Sequence, residues 1–127
     1  MRLLLDTHIF LWFIEDTDLV PRASLRAIRD PRNQVFLSVA SIWEVVIKHQ
    51  LGKMPLPSPP ETLLPQQRER HGIELLLIDE PTLRFLPSLP PLHRDPFDRI
   101  LICQALEHDL TIVTVDADIQ RYAVPTL

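Results

Sequence analysis

The sequence has one cysteine, two glycines, no long apolar run and no excess of basic charge. Each shortage narrows the field. A lone Cys103 closes no internal disulfide, and its apolar neighbours make it a buried core thiol. A reducing, cytoplasmic setting is the expectation that follows. No apolar stretch approaches the roughly 20 residues that a membrane-spanning helix needs. The apolar start Leu3-Leu4-Leu5 is cut short by Asp6, so no targeting segment is expected. The formal net charge of −4 argues against a general nucleic-acid coat protein, which would be basic. It leaves room for an enzyme whose acids reach phosphate through a metal ion, because local charge governs there. The aromatic residues form no series suited to base stacking. There is no internal repeat and no low-complexity tail.

What is present suits one folded domain over residues 1–127. At 46% apolar composition the chain can fill a core. Arg2-Leu3-Leu4-Leu5 reads as a buried strand ending at Asp6, with Asp6-Thr7 capping a helix over Ile9–Ile14. Pro21 opens a second helix through Arg29. Gln34–Ser38 is a second strand, and Ser38 or Ser41 caps a helix in which Val39, Ile42, Trp43, Val46 and Ile47 recur at helical spacing. Gly52 stops that helix. After the proline-rich loop Pro55–Pro60, a polar helix covers Glu61–His71, with an interruption expected at Pro65.

Glu74–Ile78 is a third strand, followed by a short helix near Thr82–Leu86. Pro96 opens an apolar helix to His108. Thr111–Val115 is the clearest strand, rich in β-branched residues, and Asp116 follows it. A last short helix and a final strand at Val124–Leu127 complete the chain. Strands alternating with helices predict an α/β fold, with a mainly parallel sheet of four to five strands and helices on both faces.

In such a sheet, ligands gather outside the carboxyl ends of the strands. Asp6 and Asp116 each follow a strand. Asp98 lies in the first turn of the Pro96 helix, and Glu44 lies about a turn into the helix after the second strand. Each has an ordinary reading as well. Asp6 can be a helix cap, Asp98 can complement a helix dipole, Glu44 can be solvated and Asp116 can be a turn residue. Together they would place acids from four separate elements at one locus, where repulsion is destabilising without a cation. Oxygen ligands without paired cysteines favour Mg2+ or Mn2+ over zinc. Such ions hold a phosphate and activate a water, so no serine or cysteine nucleophile is required.

Four blocks resemble the PIN-domain family: Leu4-Leu5-Asp6-Thr7-His8 with Leu11-Trp12; Ser38–Glu44 followed by Lys48 and Gly52-Lys53; His93-Arg94-Asp95-Pro96-Phe97-Asp98-Arg99 with Gln104-Ala105; and Val113-Thr114-Val115-Asp116. They span nearly the whole chain in the family's order. The chain looks like the short VapC-type toxins of bacterial toxin–antitoxin pairs. That resemblance implies a three-layer α/β/α sandwich and Mg2+- or Mn2+-dependent cleavage of RNA. It implies that Asp6, Glu44, Asp98 and Asp116 are the acidic positions. It also implies a cognate VapB-type antitoxin and a homodimer.

Asp95, just before Pro96, reads as the helix cap and Asp98 as the metal acid. Thr114 reads either as a hydrogen-bond partner of an acid or as an ordinary strand residue. Arg99, beside Asp98, reads as substrate contact or structural partner. Lys48, Lys53 and Arg94 are the candidate RNA-binding cations, with solubilising surface charge as the other reading. A receiver domain would want paired acids after the first strand and a late lysine, yet none follows Lys53. A haloacid-dehalogenase-type phosphatase would want Asp-x-Asp, and position 8 is histidine. The competing expectation is a non-catalytic PIN-like module that retains metal or partner binding alone.

Overall fold

In the computed structural model, which describes residues 1–127, Leu3, Leu4 and Leu5 of β1 (Arg2–Leu5) have no exposed surface. A strand apolar on both faces belongs inside a parallel sheet covered on both sides. β1 pairs in parallel with β2 (Gln34–Ser38) and with β4 (Thr111–Val113), while β3 (Glu74–Leu76) extends the sheet beyond β2. The order is β3-β2-β1-β4. The C-terminal segment adds a rudimentary fifth strand, with a parallel bridge from Thr126 to Ile112.

Alternation along the strands divides the core into two layers. Leu3, Leu5, Val35, Leu37 and Val113 face one side; Leu4, Phe36 and Ile112 face the other. The first layer is closed by α1 (Thr7–Ile14), α2 (Arg22–Arg29), α3 (Val39–Gln50) and α4 (Pro60–Arg70), through Ile9, Phe10, Ile28, Val45 and Leu64. The second is closed by α6 (Pro96–His108) and α7 (Ala117–Gln120), through Leu101, Ile102, Ala105 and Ile119. Right-handed crossovers explain the division. The chain steps one way from β1 to β2 to β3, then returns past β1 to β4, so the later helices pack on the opposite face. The expected α/β/α sandwich is therefore present.

Some boundaries differ from the sequence reading. β4 stops at Val113 because the next residues find other partners: the Thr114 N–H donates to the Leu127 carbonyl at 3.2 Å. β3 stops at Leu76, and the Leu77 carbonyl accepts from the Gln104 side chain at 3.3 Å. The short helix α5 begins earlier, at Glu80–Leu83, because Asp79 and Thr82 form a capping box, and a 3-10 turn follows at Leu86–Ser88. Pro65 does not interrupt α4. The carbonyl it leaves without a donor is that of exposed Glu61. No helix is long and apolar enough to cross a membrane.

Candidate active site

The sheet reverses its direction of travel between β1 and β4, and a crevice at the carboxyl ends of two such strands is where ligands bind in open α/β folds. Asp6 leaves β1 at this point, its N–H still held by the Val113 carbonyl at 3.0 Å. The parallel register that sets Leu5 against Val113 brings Thr114 beside it, and Thr114 Oγ1 donates to Asp6 Oδ2 at 2.8 Å. The same hydroxyl accepts the Asp116 N–H at 2.9 Å. Asp116 in turn caps α7, its side chain accepting from the Asp118 N–H at 2.8 Å. Asp6 precedes α1 without a side-chain capping bond, so its carboxylate remains available to the crevice.

Two other helices begin at this rim. Ser38 caps α3, and the Thr7 hydroxyl donates to Ser41 at 2.8 Å, tying the starts of α1 and α3 together. One turn on, buried Glu44 receives Lys48 Nζ at 2.6 Å. Asp95 caps α6, accepting from the N–H groups of Phe97 at 2.9 Å and Asp98 at 3.2 Å. That cap leaves Asp98 in the first turn with its side chain largely buried.

Asp98 is oriented from behind. Its Oδ2 lies 3.0 Å from His93 Nε2, and His93 Nδ1 lies 2.8 Å from the Tyr122 hydroxyl. That phenol oxygen also accepts from Arg99 at 3.0 Å and from the His93 N–H at 3.3 Å. A phenol oxygen accepts two hydrogen bonds and donates one. With both lone pairs engaged, its proton goes to Nδ1, which assigns the Nε2–H tautomer that donates to Asp98. Arg99 is therefore a brace: it also donates to the Pro90 carbonyl at 3.0 Å and forms no ion pair with the acids. Tyr122 escapes sequence reasoning because nothing within its own neighbourhood marks it as polar-partnered.

The acids sense one another. Burial pushes the Asp6 carboxyl above its ordinary pKa, against the lowering effect of Thr114, and Asp116 adds repulsion. Burial first, then the charges of Asp95, Asp6 and Asp116, push Asp98 up to about 7 despite the His93 hydrogen bond. Partial burial works against the charge of Lys48, yet the neighbouring Glu44 carboxylate, with Asp95 and Asp98 beyond it, holds its pKa above the usual value. So Asp6, Asp98 and Asp116 lie within electrostatic reach of one another at this rim, and Lys48, paired with Glu44, senses Asp98 from the same side. The candidate donors at this rim are all carboxylate oxygens, and their negative charge, offset at Glu44 by Lys48, suits a hard divalent cation. No three of these acids bring their ligand oxygens within 4.8 Å of one another.

Of the candidate cations, Lys48 lies in the crevice. Arg94 is exposed between His93 and Asp95 on its wall. Lys53 is exposed past the end of α3, on the order of 10 Å down that helix from Glu44. Two further features escape sequence patterning. Trp43, the residue before Glu44, meets Phe97, the residue before Asp98, edge to face at 5.1 Å between ring centroids. Separately, Asp79, Glu107 and His108 hold their ligand atoms within 4.8 Å of one another at the far end of α6, where the Thr82 hydroxyl lies 2.9 Å from Asp79 and 2.5 Å from Glu107.

The PIN-domain family model matches residues 3–125 of the chain. Ribonuclease VapC16 of Mycobacterium tuberculosis is 40% identical over 52 residues, which is 41% of this chain and 37% of that protein. The match therefore spans little more than a third of the relative's length. Among solved structures, VapBC2 of Rickettsia felis, bound to a DNA fragment from its promoter, aligns over 100% of this chain and 98% of its own. It does so with a TM-score of 0.75 at 16% identity. VapBC-1 of nontypeable Haemophilus influenzae aligns over 100% and 97%, with a TM-score of 0.68 at 15% identity. At such identities these likenesses speak for the fold.

Proposed function

The chain belongs to the PIN-domain family, and from that premise we propose that it is a divalent-metal-dependent endoribonuclease of the VapC toxin type. In this reading Asp6, Glu44, Asp98 and Asp116 form the metal-binding and catalytic centre. One observation carries the proposal. Asp6, Asp98 and Asp116, from three separated elements, lie near enough to repel one another, and burial with that repulsion holds Asp6 and Asp98 above their ordinary pKa, while Lys48 links Glu44 to Asp98. Such a cluster is destabilising by itself and becomes favourable when a cation supplies the opposing charge.

Mg2+ or Mn2+ bound there would neutralise phosphate charge and acidify a water for attack on the phosphodiester. The chain's own residues divide the remaining work. Thr114 fixes the Asp6 carboxylate and the Asp116 backbone. His93, set by Tyr122, fixes Asp98. Asp95 and Arg99 hold the start of α6 in place. Lys48, and Arg94 at the rim, supply positive charge for the phosphates of RNA, with Lys53 further out. RNA as substrate is supported by the ribonuclease relative. A VapB-type antitoxin is supported by the likeness to VapBC assemblies, and a homodimer and a cytoplasmic location belong to the same reading.

The test compares the parent chain with Asp6→Asn for cleavage of total RNA in Mg2+ or Mn2+. The expected result is a loss of at least about a hundredfold, with an unchanged circular dichroism spectrum. Equal cleavage by both proteins, with contaminating nuclease excluded, overturns the catalytic assignment. A parent that binds metal or a partner yet cuts nothing would favour the non-catalytic PIN-like module instead.

A further inference from the structure

Trp43 leaves 59% of its surface in solvent, although it adjoins the buried Glu44 on α3. A single exposed apolar residue means little by itself. This one is placed and held. Its ring meets Phe97 at an interplanar angle of 83°, so an aromatic pair joins the two helices that supply Glu44 and Asp98. On a helix, consecutive residues point about 100° apart, so Trp43 stays exposed where Glu44 is buried, and its contact with Phe97 holds it beside the start of α6 that carries Asp98. Lys48, paired with Glu44, provides positive charge on the same helix.

We propose that Trp43, braced by Phe97, is a stacking platform for a nucleobase of the RNA, next to the phosphate seated at the acids. The inference deepens the ribonuclease reading and rests on it. A phosphate bound among the carboxylates has its attached nucleoside one chain step away, and Trp43 is one residue from a carboxylate. Every base has a π-face, so a single indole serves any sequence, and its contribution adds to the phosphate contacts of Lys48. The Phe97 edge contact limits the freedom of the indole, so less ordering is required when a base arrives. Two rings from separate helices form no aromatic series along the chain, which hides them from sequence patterning.

The experiment measures binding of short fluorescein-labelled oligo(A) and oligo(U) in Mg2+, with Asp6→Asn as the background that prevents cleavage. Trp43→Ala and Trp43→Leu should each weaken binding roughly tenfold or more, whereas Trp43→Phe retains most of it. Trp43→Leu keeps an apolar side chain, so its loss separates stacking from packing. Thermal unfolding and circular dichroism establish that each variant folds. Binding by the background chain that Trp43→Ala and Trp43→Leu leave unchanged overturns this inference alone. A lack of RNA binding by the background and by the parent chain alike overturns the ribonuclease reading together with it. Dissociation of a dimer, or loss of a protein partner, with RNA affinity unchanged would assign the aromatic pair to a protein interface and likewise overturn it.

Discussion

Thr114 Oγ1 sits 2.8 Å from Asp6 Oδ2 and 2.9 Å from the Asp116 N–H, so one hydroxyl ties together two acids that lie at opposite ends of the sequence. The contact exists because β1 and β4 are parallel neighbours in a fixed register. Thr114→Val keeps the shape and removes the bond. Metal affinity should fall about ten- to a hundredfold, the usual effect of losing a hydrogen bond that orients a ligand. Stability should fall by about 1 kcal/mol, because a half-buried N–H loses its acceptor. Thr114→Ser should retain both properties. Calorimetric Mg2+ and Mn2+ titration with thermal unfolding checks this, and unchanged metal binding in Thr114→Val refutes it.

An ordinary aspartic acid loses its proton near 3.8, whereas Asp98 keeps it up to about 7. Between those values the metal-free folded chain holds a proton that the unfolded chain has released. Metal-free stability therefore falls as pH rises through that window. A divalent cation favours the charged carboxylate, so the rise in Tm on adding Mg2+ should grow between about pH 6 and 8. Asp98→Asn removes the buried charge. In EDTA at about pH 8 the variant should unfold roughly 2–4 °C above the parent, while responding little to Mg2+. Melting curves across pH, with and without metal, decide the matter. A parent whose metal-free Tm does not change over this range contradicts the assignment of Asp98.

The layered fold and the positions of Asp6, Asp98 and Asp116 relative to their elements were legible because they follow from local rules. An apolar run broken by an acid, a proline opening a helix and a β-branched run each mark an end that the sheet later gathers at one rim. The Asp95 cap was legible for the same reason. The partners of Arg99 were not. Tyr122 lies beyond β4, and its contact with His93 and Arg99 exists only once α6 and the C-terminal segment pack on the same face. Likewise the Trp43–Phe97 pair needs α3 and α6 side by side, and the Asp79–Glu107–His108 trio needs α5 against the end of α6. The sequence makes β3 and β4 look longer than they are, because apolar, β-branched residues continue past the last ladder bond. There the Gln104 side chain and the Leu127 carbonyl supply the alternative partners.

Lys48 supplies the positive charge against Glu44, at 2.6 Å. A cation entering the crevice would compete with it. Lys48→Met removes the competitor and leaves the carboxylate uncompensated, so affinity for Mg2+ or Mn2+ should rise severalfold. RNA binding should move the other way. With one fewer phosphate neutralised by the protein, the dependence of log affinity on log salt should flatten by about 0.7. Metal titration together with RNA binding across a salt series tests both halves. Weaker metal binding in Lys48→Met would mean that the ammonium acts by holding Glu44 in position.

Tyr122 is buried, and its hydroxyl serves His93 twice and Arg99 once. Tyr122→Phe preserves the ring while leaving the His93 N–H and Nδ1 without a partner and Arg99 with the Pro90 carbonyl alone, which should cost about 1–3 kcal/mol of stability. The effect on function has a different route. Without the phenol proton at Nδ1, only the Asp98 carboxylate still favours the Nε2–H tautomer and the ring loses its second anchor, so metal affinity and cleavage should fall about tenfold or more. The two routes separate in a double-mutant cycle. If Tyr122 acts through His93, adding His93→Ala to Tyr122→Phe should lower metal affinity little further than His93→Ala does alone. Additive losses would show that the tyrosine supports the fold without orienting the acid.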